Sequence, residues 1–311
     1  MNRKTRKFSD TKGVFMMKKI RKLAFSLLLI IGMLIGAATP AFAVSDSILI
    51  FGGQLNDAQR QEVRNTLGLS EDGTQQEFDV TGEDYANFIN GNPNANMYSS
   101  ALIKMENNGK GLVVNILSPN NITQVTREMY ENALLTAGAE DVTVDIVSPI
   151  KVTGHSALTG IYKAYDVEGV ELDKERMEIA NDELEVATDL AENEDVSEEE
   201  VGKLLTEIKQ MIADQNPVTR EEVEQIVSEQ LNKLEINLSE QDRQKLIDLF
   251  DKMRELDIDF GKVKDQLQNI ADNIADKAEE LGLDQGFWEK VAAFFSDVFH
   301  ALGNFFKNLF N

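Results

Sequence analysis

The chain has 311 residues, with 31 Lys and Arg against 54 Asp and Glu, two His, one Trp, five Pro, no Cys and 42% hydrophobic residues. That is enough apolar material for a folded core, about two domains at ~100 to 200 residues each, and too much Leu, Ile and Val for wholesale disorder. The lack of cysteine excludes disulfides, thiolate metal sites, iron-sulfur clusters and a Cys nucleophile, and His155 and His300 alone cannot build a histidine-rich metal site.

Arg3, Lys4, Arg6, Lys7, Lys12, Lys18, Lys19, Arg21 and Lys22 precede an apolar run from Leu23 to Ala38, followed by Pro40 and Ala41-Phe42-Ala43. A basic segment, an apolar segment and a small-x-small site stand in the order of a secretory signal, so residues 1–43 are expected to be removed by cleavage after Ala43. The rival reading is a signal anchor, but the apolar run has 16 residues and a spanning helix wants about 20. Met16 or Met17 as the translation start would give a signal of more usual length. Residues 1–43 hold nine basic residues and one acidic, which leaves 22 basic against 53 acidic, a net charge of −31. Such a polyanion repels nucleic acid and anionic headgroups and attracts cations, while its plain reading is a solvated exported protein. An exported chain without cysteine suits the cell envelope of a low-GC Gram-positive bacterium, where disulfides are not the stabilising device.

From Val44 to about Asp166 strands and helices mix. Ser47 to Phe51 is a buried strand ended by Gly52-Gly53; Asn56 with Gln59 forms a capping box for a helix carrying Val63 and Leu67 and stopping at Gly68. Glu77 to Val80 alternates as a second strand. Ala101 to Met105 and Leu112 to Leu117 flank Asn107-Asn108-Gly109, which predicts a hairpin. A helix from Thr126 to Ala137 ends at Gly138, Val142 to Val147 is the fifth strand, and Ser156 to Tyr165 opens helical territory. The passage from a helix-ending glycine to a strand and then Thr-Gly occurs twice, at Gly68 to Gly82 and Gly138 to Gly154; common capping chemistry accounts for it without a duplicated unit.

Beyond Tyr165 the pattern is helical throughout. Asp173 to Asn193 is one helix; Ser197 with Glu200, and Thr219 with Glu222, are capping boxes opening two more; Ser239 starts a fourth with a stripe of Leu246, Leu249, Phe250 and Met253. Val263, Leu267, Ile270 and Ile274 mark a fifth, closed near Gly282. Ile236, Leu238, Leu256 and Ile258 read as apolar staples at the joints between helices. Glu171, Glu175, Glu183, Glu185, Glu198, Glu199 and Glu200 read as solvated helix faces.

Seven of the 16 Phe lie in the last 25 residues. Phe287, Trp288, Val291, Phe294, Phe295, Val298, Phe299, Leu302, Phe305, Phe306, Leu309 and Phe310 recur at spacings of three and four, one apolar face of a helix roughly 36 Å long at ~1.5 Å per residue. Glu289, Lys290, Ser296, Asp297, His300, Asn304 and Lys307 form a nearly neutral opposite face, so contact with a membrane surface would rest on ring burial rather than charge. Polar residues recur too often for a transmembrane helix. Two readings stand side by side: membrane or partner contact, and packing on the protein itself or on a second copy.

A serine nucleophile needs a histidine base, and His155 beside Ser156 is the candidate pair. The run Gly154-His155-Ser156-Ala157-Leu158-Thr159-Gly160 lacks the Gly-x-Ser-x-Gly elbow, and a helix N-cap at His155 or Ser156 is the favoured role. There is no phosphate loop, His-Glu-x-x-His helix or EF-hand; Glu71-Asp72-Gly73 reads as a turn rather than a calcium loop. No cofactor, metal or catalytic residue is assigned, and aromatic residues are not interleaved with basic ones, so nucleic acid is not an expected partner.

Ala133-Leu134-Leu135-Thr136-Ala137-Gly138, Val152 to Tyr165, Ile236-Asn237-Leu238 and Leu256 to Asp259 together resemble the domain of unknown function 1002 family. The resemblance covers nearly the whole chain after residue 43. It implies an exported protein of Gram-positive bacteria with an N-terminal α/β region and a helical remainder, and no defined activity or site residues. His155 stands where that family commonly has a small or hydroxyl residue, which argues against catalysis by His155.

The expected architecture is α+β: a signal peptide at 1–43, an α/β domain of about five strands at 44–166, a helical region at 167–283 and a Phe-rich amphipathic helix at 284–311. The expected role is non-enzymatic binding or scaffolding in the cell envelope, with a hydrolase acting on wall material from the Gly154 to Thr159 region as the alternative and a secreted helical oligomer as a third. The sequence leaves the protein partner unnamed.

Overall fold

The computed structural model describes residues 47–280, except 71, 72, 74, 108, 193–195 and 257. A five-stranded mixed sheet is followed by a helical region, as the α+β reading requires. The strands are β1 (Ile48–Gly52), β2 (Gln76–Val80), β3 (Ser100–Met105), β4 (Leu112–Ile116) and β5 (Val142–Val147), arranged β2-β1-β3-β5-β4. β1 and β2 are parallel, as are β4 and β5; β3 runs antiparallel to both neighbours at the centre.

Each parallel pair is joined by a helix: α1 (Asp57–Thr66) between β1 and β2, and α3 (Arg127–Ala137) between β4 and β5. α1 begins with the Asn56–Gln59 capping box, each side chain 3.0 Å from the other's backbone N–H. Thr126 caps α3 at the Met129 N–H, and Gly138 ends it in the left-handed region. The predicted hairpin between β3 and β4 is not formed. A turn closes at Lys110 N–H to the Asn107 carbonyl, 3.1 Å, but β5 enters the sheet between the two strands. Val142, Val144 and Ile146 are fully buried on one face of β5 while Thr143 and Asp145 are half-buried on the other, and the ladders to β3 and β4 satisfy the backbone of this central strand on both edges.

Helix α2 (Gly82–Ile89) escapes the sequence pattern because it is only eight residues long. Thr81 opens it with a capping box to Asp84. The corresponding Thr153 instead faces His155, so the two Thr-Gly sites differ in chemistry. α4 (Ser156–Val167) then crosses the sheet, with Gly160 set against Ile50: a Cβ there would stand 3.3 Å from that side chain.

Strand alternation divides the core. Leu49, Phe51 and Val147 pack with Leu55 and Val63 under α1. Ile48, Ile50, Ala101, Ile103, Val144 and Ile146 face the other way, and their cluster continues without a break through α3 and α4 into α5 (Lys174–Ala191), α6 (Glu198–Gln215), α7 (Arg220–Lys233), α8 (Glu240–Glu255) and α9 (Lys264–Glu280). The sheet and the helical region therefore share one core. The predicted capping boxes at Ser197–Glu200 and Thr219–Glu222 are both present. A 3₁₀ turn, Phe260–Val263, leads into α9. Ile236 and Ile258 are buried at the helix joints, with Leu238 and Leu256 packed against the core.

Candidate functional site

The sequence-predicted contact residues Phe287, Trp288, Val291, Phe294, Phe295, Val298, Phe299, Leu302, Phe305, Phe306 and Leu309, the cleavage-site residues Ala41 and Ala43, Gly282, and the Glu71-Asp72 pair lie outside the described residues. His155 and Ser156 lie within them, at the start of α4. The His155 ring nitrogens face Thr153 Oγ1 at 3.2 Å and Thr188 Oγ1 at 3.3 Å, and burial lowers the imidazole pKa against the opposing pull of Glu185 and Asp189. Ser156 Oγ accepts from the Ser99 N–H at 3.2 Å. The two side chains thus have separate partners and do not form the base–nucleophile hydrogen bond of a serine hydrolase. Neither caps α4: His155 occupies the cap position without a side-chain bond to the helix. The bend before them depends on Gly154, whose φ is +116° and whose carbonyl accepts from Tyr130 Oη at 2.6 Å.

Glu183 is a second departure from the sequence reading. It is fully buried rather than solvated, in a polar seam where α3, α5 and α6 meet. Lys209 Nζ lies 2.5 Å from Glu183 Oε1 and donates to the Asn132 carbonyl at 2.7 Å. Thr136 Oγ1 donates to Glu183 Oε2 at 2.6 Å, and Asn132 Nδ2 donates to Thr206 Oγ1 at 2.8 Å. Burial lowers the Lys209 pKa and Glu183 opposes that shift. Arg176 donates to the Thr136 and Leu135 carbonyls at the end of α3. With both charges of the pair closed to solvent, the seam sets how three helices meet and offers no approach to a substrate.

Among the described residues, a cleft of about 300 Å³ opens between β4 and α9. It arises beside β4, an edge strand whose Leu112 N–H is taken by a side chain instead of another strand. Leu112 N–H donates to Gln266 Oε1 of α9 at 3.1 Å, and the backbone of Val114 favours the ionised form of Glu131 on α3. Residues 110–113 form one wall; Gln266, Asn269, Ile270, Asp272 and Asn273 form the other, and Glu131 lies at the cleft's inner end. Glu131 is 3% exposed, and its Oε2 has no hydrogen-bond partner. Burial pushes its pKa up to about 8, with Glu128 adding to the rise and Arg127 opposing it. Periodicity missed this residue because it sits on a helix with no polar face: every residue of α3 from Glu128 to Ala137 is buried. No group of three or more His, Asp or Glu among the described residues is placed to hold a metal ion.

Residues 51–270 match the model described as "Protein of unknown function (DUF1002)", and the chain belongs to that family. It is 32% identical over 273 residues to the "Uncharacterized protein YpuA" of Bacillus subtilis (strain 168), covering 85% of this chain and 91% of that one. No solved structure matches the chain.

Proposed function

We propose that the protein is exported by a cleaved signal peptide and acts as a non-enzymatic binding or scaffolding protein of the cell envelope, with its C-terminal residues 284–311 as the contact to the membrane surface. The observation that supports this reading is the Phe-rich sequence pattern from Phe287 to Phe310, taken together with how little apolar surface the described residues expose. Among the described residues, the large apolar side chains left exposed are Val113, Leu117, Val170 and Val218. These four do not amount to a matching apolar face of the kind that covers a long aromatic stripe. Burying one large apolar side chain is worth roughly 1.5 to 3 kcal/mol at full desolvation, so partial insertion of four rings holds a protein at a bilayer without electrostatic help. No described helix is long and apolar enough to cross a membrane.

The test is co-sedimentation of residues 44–311, and of the same protein ending at Leu283, with neutral and anionic liposomes. Pelleting of the longer form alone, on both lipids, is the expected outcome. Phe294→Asp with Phe295→Asp should abolish envelope association in cells while leaving the unfolding midpoint unchanged. Retention of that variant in the envelope fraction overturns the reading, and a concentration-dependent mass by light scattering without lipid binding replaces it with self-association.

A further inference from the structure

The cleft between β4 and α9 has the features of a ligand site distinct from the C-terminal segment. A buried carboxyl oxygen without a donor is costly, and native folds keep few of them without a reason. Glu131 keeps one beside an open cleft, where a glutamine or an apolar side chain would satisfy packing at lower cost. The volume, about 300 Å³, is at the small end of the range for organic ligand pockets.

The lining decides the chemistry of the occupant. Glu131 and Asp272 contribute two carboxyl groups, Asn269 and Asn273 two carboxamides one helical turn apart, and Lys110 the one cationic side chain. Asp272 accepts from Gln268 at 2.9 Å and Gln266 Oε1 is occupied by Leu112, which leaves Glu131 Oε2 as the acceptor in need of a donor. An anionic ligand would set like charge against Asp272 and bring Glu131 Oε2 further acceptors where it needs a donor, and no group of three or more His, Asp or Glu among the described residues is placed to hold a metal ion. An ammonium group supplies three N–H donors from one point and the opposite charge, which meets a carboxylate oxygen and flanking amide oxygens together.

We propose that this cleft binds a small organic amine, its ammonium seated on Glu131 and its remainder lying between Lys110 and the Asn269–Asn273 face of α9. The ammonium replaces the proton that burial otherwise forces onto Glu131, so the group's ionised form is held by its ligand. Attraction of amines by the acidic chain as a whole raises their local concentration and does not by itself select this cleft.

The experiment is calorimetric titration of the purified protein with putrescine and with glucosamine, using 1,4-butanediol and glucose as uncharged counterparts, at about 150 mM salt, where charges beyond about 8 Å are screened. Saturable binding of at least one amine with a stoichiometry of one, and none of its uncharged counterpart, is expected. Glu131→Gln, which keeps the shape and removes the charge, should weaken it at least tenfold, and Asn269→Trp, placed on the exposed face of α9, should abolish it by filling the cleft. Circular dichroism spectra and unfolding midpoints establish that both variants fold. Absence of saturable amine binding, or equal binding by wild type and Glu131→Gln, overturns the proposal; the liposome result bears on neither outcome.

Discussion

The two parallel crossovers of the sheet use the same topology and solve burial in opposite ways. In β1-α1-β2, Val63 is the one buried residue of the ten in the helix. Its outer surface is held by Arg60 and Arg64, each bonded through two nitrogens to Asp79 and Glu77 of β2, with both guanidinium groups within 5 Å of the Phe51 ring centre, at 4.9 and 4.8 Å. In β4-α3-β5 the helix is enclosed by the sheet on one side and by α5 and α6 on the other, and its polar residues go inward with it. The first crossover is stabilised at the surface by solvated ion pairs, and the second through a buried network. The difference teaches that one supersecondary unit takes its energetics from what packs on its second side.

This contrast is open to measurement. Glu183→Ala, which strands Lys209 in the seam, should cost about 3 to 5 kcal/mol in urea unfolding, because a buried charge loses its counter-ion. Glu183→Leu combined with Lys209→Met should return most of that loss, since well-packed apolar pairs often match a buried ion pair. A double variant as unstable as the single would show that the seam does more than join the helices.

Glu131→Gln tests the same helix through pH. The native carboxyl titrates at about 8 and the unfolded one near 4.5, so between those values the native state holds a proton that the unfolded chain has released. Stability from this group is therefore full below pH 4.5 and falls as pH rises toward 8, by about 1.4 kcal/mol per unit at most. The glutamine variant should lose that slope and exceed the wild type by a few kcal/mol at pH 8, read from denaturant midpoints across the range.

Gly154→Ala should cost about 1 to 3 kcal/mol, because the left-handed φ strains any Cβ and this one would stand 2.6 Å from Tyr130 Oη. The smallest effect belongs to the exposed crossover. Asp79→Ala, which removes a partner 47% exposed, should cost about 0.2 to 1 kcal/mol and become indistinguishable from wild type at high salt. A loss as large as that of Glu183→Ala would erase the contrast between the two crossovers.

Much of the local structure was legible in the chain. The Asn56–Gln59, Ser197–Glu200 and Thr219–Glu222 boxes mark real helix starts because capping depends on residues three apart, within one turn. The five strands and the helical stripes follow from alternation and from three-and-four spacing, again short-range patterns. The hairpin at Asn107 to Gly109 misled because a turn signal specifies a reversal of the chain and says nothing about a third strand arriving later between its arms. The cleft was not legible at all. It needs β4 to be an edge strand, α9 to lie along it and Glu131 to face both, three facts separated by up to 154 residues, the span of the Leu112–Gln266 bond.

The sequence by itself determined the order of the strands and of every long helix, most of the caps that begin and end them, the change from a mixed α/β region to helices, and the likeness to its family. The tertiary structure alone decided the strand order, the continuity of one core from sheet to α9, and the fate of the charged residues. Glu183 and Glu131 carry the same side chain as their solvated counterparts Glu171 and Glu185. What separates them is the second layer of helices over α3, because desolvation of a charge depends on everything within a few ångströms in space, whatever its distance along the chain.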